Sequence, residues 1–124
     1  MRGAWRYWKN ERGAAAAEFA LVVIPFLGLV LGIIWVSMML YANHTLQYAA
    51  EDAARCWSIK TTICTSAATT QTYASGRYSG PNIAPAFVAT QVSCGHKVTG
   101  TANFPLTTGL LNTTVPLSAT ACFP

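Results

Sequence analysis

At 124 residues, 52% hydrophobic and 10% charged, the chain is too short for more than one small domain and too apolar for a disordered segment. Its formal charge of +4 is concentrated at one end: residues 1–13 carry Arg2, Arg6, Lys9 and Arg12 against Glu11, and the remainder is almost neutral. A basic head this short, interleaved with Trp5, Tyr7 and Trp8, reads as a membrane-interface, positive-inside signal and argues against a nucleic-acid partner.

The head ends in Arg12-Gly-Ala-Ala-Ala-Ala-Glu18-Phe19. The run from Phe19 to Leu40 that follows is 22 residues long, interrupted only by Pro25, Gly28, Gly32 and Ser37. As a helix it rises roughly 33 Å, enough to cross a bilayer core. It exceeds the apolar region of about 7–15 residues in a removable signal peptide, and no clear small-x-small cleavage site follows it, so it is expected to stay in the mature protein. Pro25 has no amide hydrogen to donate and is expected to kink or loosen the helix near residues 21–25. Gly28 and Gly32 form a G-x-x-x-G that allows a second helix to approach closely; accidental glycine is the equal alternative.

Glu18 at the lip of this run has two readings. A helix macrodipole favours an acid near the N-terminus by about 0.3–1 kcal/mol. A cut after Gly13 would instead create an ammonium on Ala14, one turn from the carboxylate, and in an apolar setting that pairing is strongly enforced.

Helical periodicity continues past the membrane length, with Leu46, Ala49, Ala50, Ala53, Ala54 and Trp57 at mostly three- and four-residue spacing. Glu51 and Arg55 stand four apart in the favourable order for an ion pair. The expectation is one helix over 14–57, roughly 65 Å long at 1.5 Å per residue. Its alanine-rich outer third docks on the chain's own small domain, and a second face meets other subunits.

Residues 58–85 read as loop, with Gly76, Gly80-Pro81 and Pro85 as breakers and a short helical piece near Ala67–Tyr73. Three strands are predicted after it, at Ala86–Ser93, Lys97–Phe104 and Pro116–Phe123, with a hairpin turn at Cys94-Gly95-His96. The fold class is α+β: a long N-terminal membrane and assembly helix, then a small disulfide-stapled antiparallel sheet over 58–124. All four cysteines, Cys56, Cys64, Cys94 and Cys122, follow the apolar run, on the side where disulfides persist. Of the three possible pairings, Cys56–Cys64 and Cys94–Cys122 are favoured: the first ties the helix end to the next loop, the second joins a mid-domain segment to the last strand.

Catalytic chemistry is scarce. No Asp or Glu follows Asp52, which removes paired-carboxylate catalysis and carboxylate calcium sites from the small domain. His96 lacks a nucleophile elbow and an acidic orienter and reads as a polar turn residue; His44 reads as interfacial. The cysteine and histidine spacings fit no standard zinc pattern. No enzyme activity, cofactor or metal is expected.

The stretch Gly13-Ala-Ala-Ala-Ala-Glu18-Phe19 resembles the prepilin-peptidase site of type IV pilin-like proteins. Arg12–Leu21, Pro25 and Leu40–Ala50, with Ala53-Ala-Arg55, resemble the TadE-like proteins of the tight-adherence (Tad) pilus system. The resemblance covers residues 12 to 55. Where many members carry an acid and Gly-Arg after the apolar run, this chain has Val36-Ser-Met-Met39.

The resemblance implies a minor pilin, or pseudopilin. It would enter the bacterial inner membrane with residues 1–13 cytoplasmic as a leader and the C-terminal domain periplasmic, then pass to the pilus at the cell surface, where it would serve adhesion. Gly13 and Ala14 would be the scissile pair, and Glu18 with Phe19 the recognition and assembly residues. Residues 19–40, including Pro25, Gly28 and Gly32, would be the packing spine. Implied partners are other pilins, the prepilin peptidase, the inner-membrane assembly platform and the bilayer. The alternative class is a single-pass anchored binding module that never polymerises, with Tyr73, Arg77 and Tyr78 on a loop as its contact surface.

Overall fold

The structure, a computed structural model, describes residues 4–124, with side chains from Gly13 onward. The side chains of the basic head therefore lie outside the described residues. The order of elements is α1 (Ala4–Ile59), α2 (Ala67–Arg77), β1 (Ala86–Val92), β2 (Gly95–Thr107) and β3 (Asn112–Phe123). The chain divides into two compact units, one ending at Val36 and one spanning Ser37–Pro124.

In the first unit the helix continues through Pro25 without interruption. It already includes Ala4, ten residues before Ala14, because nothing in residues 4–12 breaks a helix: Ala, Arg, Lys, Glu and aromatics are all compatible with one. From Gly13 onward most side chains of this unit are exposed. Eleven large apolar residues between Phe19 and Val36 are 52% to 74% exposed, and Met38 and Leu40 at the start of the second unit continue the series.

The second unit begins with the outer part of α1, where burial sets in. Ala42, Leu46, Ala49, Ala50 and Ala53 are fully buried, a stripe at three- and four-residue spacing. The stripe is made of small residues because it lies against a sheet, and small side chains let the helix approach closely. The sheet is antiparallel in the order β1-β2-β3. Its inner face is built from cross-strand rows: Phe87, Gly100 and Ala119 align, as do Ala89, Val98 and Ala121. Ala102, Leu117 and the buried Phe104 continue the covered face.

β2 runs opposite to α1 along this interface. Gly100 lies beside Leu46. Further along α1, the Trp57 ring lies 4.5 Å from the ring of His96. Ser58 Oγ donates to the Phe123 carbonyl at 3.1 Å. The disulfides join Cys56 to Cys64 and Cys94 to Cys122, the pairs favoured above.

β1 ends one residue short of its predicted end, at Val92, whereas β2 and β3 are longer than their sequence signals. β2 extends to Thr107 and β3 starts at Asn112, so that Pro105 faces Thr114 and Pro116 faces Asn103. Proline is tolerated where a strand has one open side. β1 pairs with β2 only as far as Thr101, so beyond that row each of β2 and β3 has a single neighbour. The turn also moves by one residue. Val92 pairs with Gly95, which leaves Ser93-Cys94 as the loop and makes His96 a strand residue. Gly95 has φ +120°, and a side chain there would collide with the carbonyl of Phe123.

α2 is longer than the Ala67–Tyr73 piece read from sequence, and it is capped. Ser66 Oγ accepts from the Thr69 amide at 3.3 Å while Thr69 Oγ1 accepts from the Ser66 amide at 2.9 Å, a reciprocal capping box. Ser66→Ala is expected to lower the stability of this unit by about 1 kcal/mol in denaturant unfolding of the full chain. An unchanged midpoint would mean the cap is redundant.

The candidate assembly helix

Gly13, Ala14, Glu18, Phe19, Pro25, Gly28 and Gly32 all lie on α1 within the first unit. Each is exposed, Phe19 by 70%. A Cβ added at Gly13, Gly28 or Gly32 would meet nothing within 4 Å. Neither glycine of the G-x-x-x-G pair is therefore needed for packing within the described fold.

Glu18 makes no salt bridge among the described residues. Its position changes the first of its two readings. Because α1 starts at Ala4, Glu18 lies about four turns inside the helix, and macrodipole stabilisation falls off within the first turn. The acid therefore gains nothing from the terminus of the intact helix. It would gain from a terminus at Ala14.

Other polar groups singled out by sequence are engaged elsewhere. Glu51 Oε1 accepts from Gln47 Nε2 at 2.8 Å. Arg55 lies 5.7 Å from the centre of the Phe123 ring, so it stacks on β3 instead of pairing with Glu51. Tyr73 and Arg77 are helical residues of α2, not a free loop. Arg77 Nε sits 2.9 Å from Asp52 Oδ2 on α1, and Tyr73 Oη donates to the same oxygen at 3.1 Å. Arg77 also donates to Tyr73 Oη, through Nε at 3.1 Å and Nη2 at 2.9 Å. The Tyr73 hydroxyl first, then the charge on Asp52, hold the Arg77 guanidinium above its ordinary pKa. Tyr78 Oη donates to the Pro81 carbonyl at 2.8 Å, and burial pushes its phenol up. The surface offered by the anchored-module reading thus uses its polar groups to hold α2 and its loop in place. Sequence reasoning missed the link from Asp52 to Arg77 because 25 residues separate them and no local pattern marks the pair.

His96 is a half-buried strand residue against Trp57, with Nδ1 buried and without a hydrogen-bond partner. Among the described residues no three metal-ligating side chains are gathered, and every cysteine is in a disulfide. One helix among the described residues, Gly13–Ile59, is long and apolar enough to cross a membrane.

Residues 13–55 match the family model described as TadE-like protein. The TadE-like segment takes in the apolar run and the outer helix up to Arg55, and leaves α2 and the sheet outside the match. TadE-like proteins belong to the Tad pilus system, so the match over this segment, about a third of the chain, suggests a pilus-associated, membrane-anchored protein. No curated protein and no solved structure matches the chain.

Proposed function

We propose that the protein is a minor pilin, or pseudopilin, of a Tad-type pilus. A prepilin peptidase cuts it after Gly13, and it assembles through α1 into a surface pilus that serves adhesion. The observation that carries this reading is the exposed apolar stretch of α1 that follows Gly13 and Glu18 within the TadE-like match. Thirteen large apolar side chains exposed along one helix require a cover. Scaled by their 43% to 74% exposure, covering them is worth roughly 10–25 kcal/mol at about 1.5–3 kcal/mol per fully exposed side chain, far more than any local interaction along that helix. The bilayer supplies the cover before assembly, and neighbouring helices supply it afterwards. Gly28 and Gly32, with open space beside them, suit the close approach of such neighbours.

The Gly13–Ala14 bond lies within α1, so the peptidase must unwind a turn to reach it. Glycine is about 1 kcal/mol poorer than alanine in a helix, which makes Gly13 the weak point of that turn. The cut discards the basic head and leaves Ala14 as a free amine one turn before Glu18. The test is the mass of the protein isolated from its native host with the peptidase active. A mature chain starting at Ala14 is expected; an intact Met1 would refute processing.

A further inference from the structure

The β2–β3 hairpin ends in two unused leucines. Leu110 is 97% exposed and Leu111 64% exposed, on either side of no charged residue at all, since Lys97 is the last charged side chain before the C-terminus. The turn that presents them is closed on itself. The Thr108 amide donates to the Leu111 carbonyl at 2.9 Å, and the Leu111 amide donates to Thr108 Oγ1 at 3.2 Å. Paired backbone groups and uncharged Thr, Gly and Asn neighbours lower the cost of leaving water.

The direction of the hairpin gives these leucines a destination. Within the second unit, His96 lies by Trp57 and Gly100 by Leu46, so β2 advances towards the N-terminal end of this unit's helix. From Gly100 to Thr107 the strand covers about 23 Å at 3.3 Å per residue. From Leu46 back to Ser37, where the unit begins, the helix has only about 13 Å at 1.5 Å per residue. The hairpin therefore reaches as far as Ser37–Leu40, the part of the apolar run that belongs to this same unit.

We propose that Leu110 and Leu111 dip into the outer interface of the bilayer that α1 crosses, giving the membrane-held protein a second point of attachment. The partner is lipid. The proposal rests on membrane insertion of the apolar segment, not on cleavage or polymerisation.

A photo-crosslinking residue is placed singly at Leu29, Leu110 and Val88 of the full chain, in vesicles of phosphatidylethanolamine and phosphatidylglycerol. These side chains are exposed, so the substitutions spare the core. Leu29 reports insertion of α1, and Val88 is an exposed apolar residue on β1. The expected result is lipid adduct at Leu29, and about ten-fold more lipid adduct at Leu110 than at Val88. Adding Leu111→Asp to the Leu110 probe is expected to lower its yield. Lipid at Leu29 with Leu110 no higher than Val88 overturns the attachment alone. Adducts from Leu110 to a second protein copy also overturn it. Absence of lipid adduct at Leu29 overturns the membrane reading and the attachment together.

Discussion

Glu18→Ala is expected to insert into the membrane normally and to be nearly absent from pili. The carboxylate lies about four turns inside α1 in the uncut chain and makes no salt bridge among the described residues. Removing it costs the precursor little, and replacing a charge by a methyl group favours insertion. After cleavage the situation reverses. In the proposed mature subunit Glu18 would stand in the first turn of a helix with a free amine at Ala14, and a neighbouring subunit would present the same pair. Losing one partner of a desolvated pair costs about 3–5 kcal/mol, because the other charge is left uncompensated. The macrodipole contribution of about 0.3–1 kcal/mol is minor beside it. Incorporation into pili is therefore expected to fall by about ten-fold or more, the effect of only 1.4 kcal/mol. Membrane fractionation and pilus yield measure the two halves of the prediction. Glu18→Gln should be as defective as Glu18→Ala, since it keeps the shape and loses the charge. Wild-type pilus yield from Glu18→Ala would remove the assembly role of this residue.

The second large effect is expected at Gly100, a strand glycine packed beside Leu46 of α1 and Phe87 of β1. A Cβ there would lie 2.7 Å from Phe87 Cε1 and 3.1 Å from Leu46 Cδ1. Two terms of opposite sign compete. Replacing a strand glycine by alanine ordinarily gains about 0.5–1 kcal/mol through the unfolded chain. Forcing a methyl group into an occupied core costs about 1–3 kcal/mol. Leu46 is fully buried and Phe87 nearly so, which leaves neither much room to move, and overpacking wins. Gly100→Ala is expected to be destabilising, and Gly100→Val to cost about 3 kcal/mol or more. The collision with the ring can be tested directly. Phe87→Leu removes the offending Cε1 atom, so the two substitutions together should cost less than their sum by about 1 kcal/mol. Simple additivity in denaturant unfolding of the full chain would show that the ring does not limit this site.

The parts of the molecule legible in sequence are those with a local signal. The membrane-length run, the alanine stripe with Leu46 and Trp57, and the three strand cores announce themselves through periodicity. The favoured cysteine pairs followed from which elements each cysteine flanks. Strand ends were less legible. The predicted second strand stops at Phe104, short of Pro105, yet Pro105 lies where β2 has a free edge, and only the end of β1 pairing at Thr101 creates that edge; Pro116 sits on β3, an edge strand throughout. The turn was misplaced by one residue because Gly95 was read as a loop glycine. It is a strand glycine, excluded from having a side chain by the Phe123 carbonyl.

The candidate site divides along the same line. The sequence by itself determined that a basic head, Gly13, Glu18 and a membrane-length helix follow one another, because charge, size and apolar length are properties of consecutive residues. Only the tertiary structure decided how the rest of the chain is used. It took Arg55 from Glu51 and stacked it on Phe123, and it tied Tyr73 and Arg77 to Asp52. It left Leu110 and Leu111 uncovered at the end of a hairpin. These are choices among partners far apart in the chain. Local spacing states what a side chain can reach along its own element, and packing selects which distant neighbour it meets.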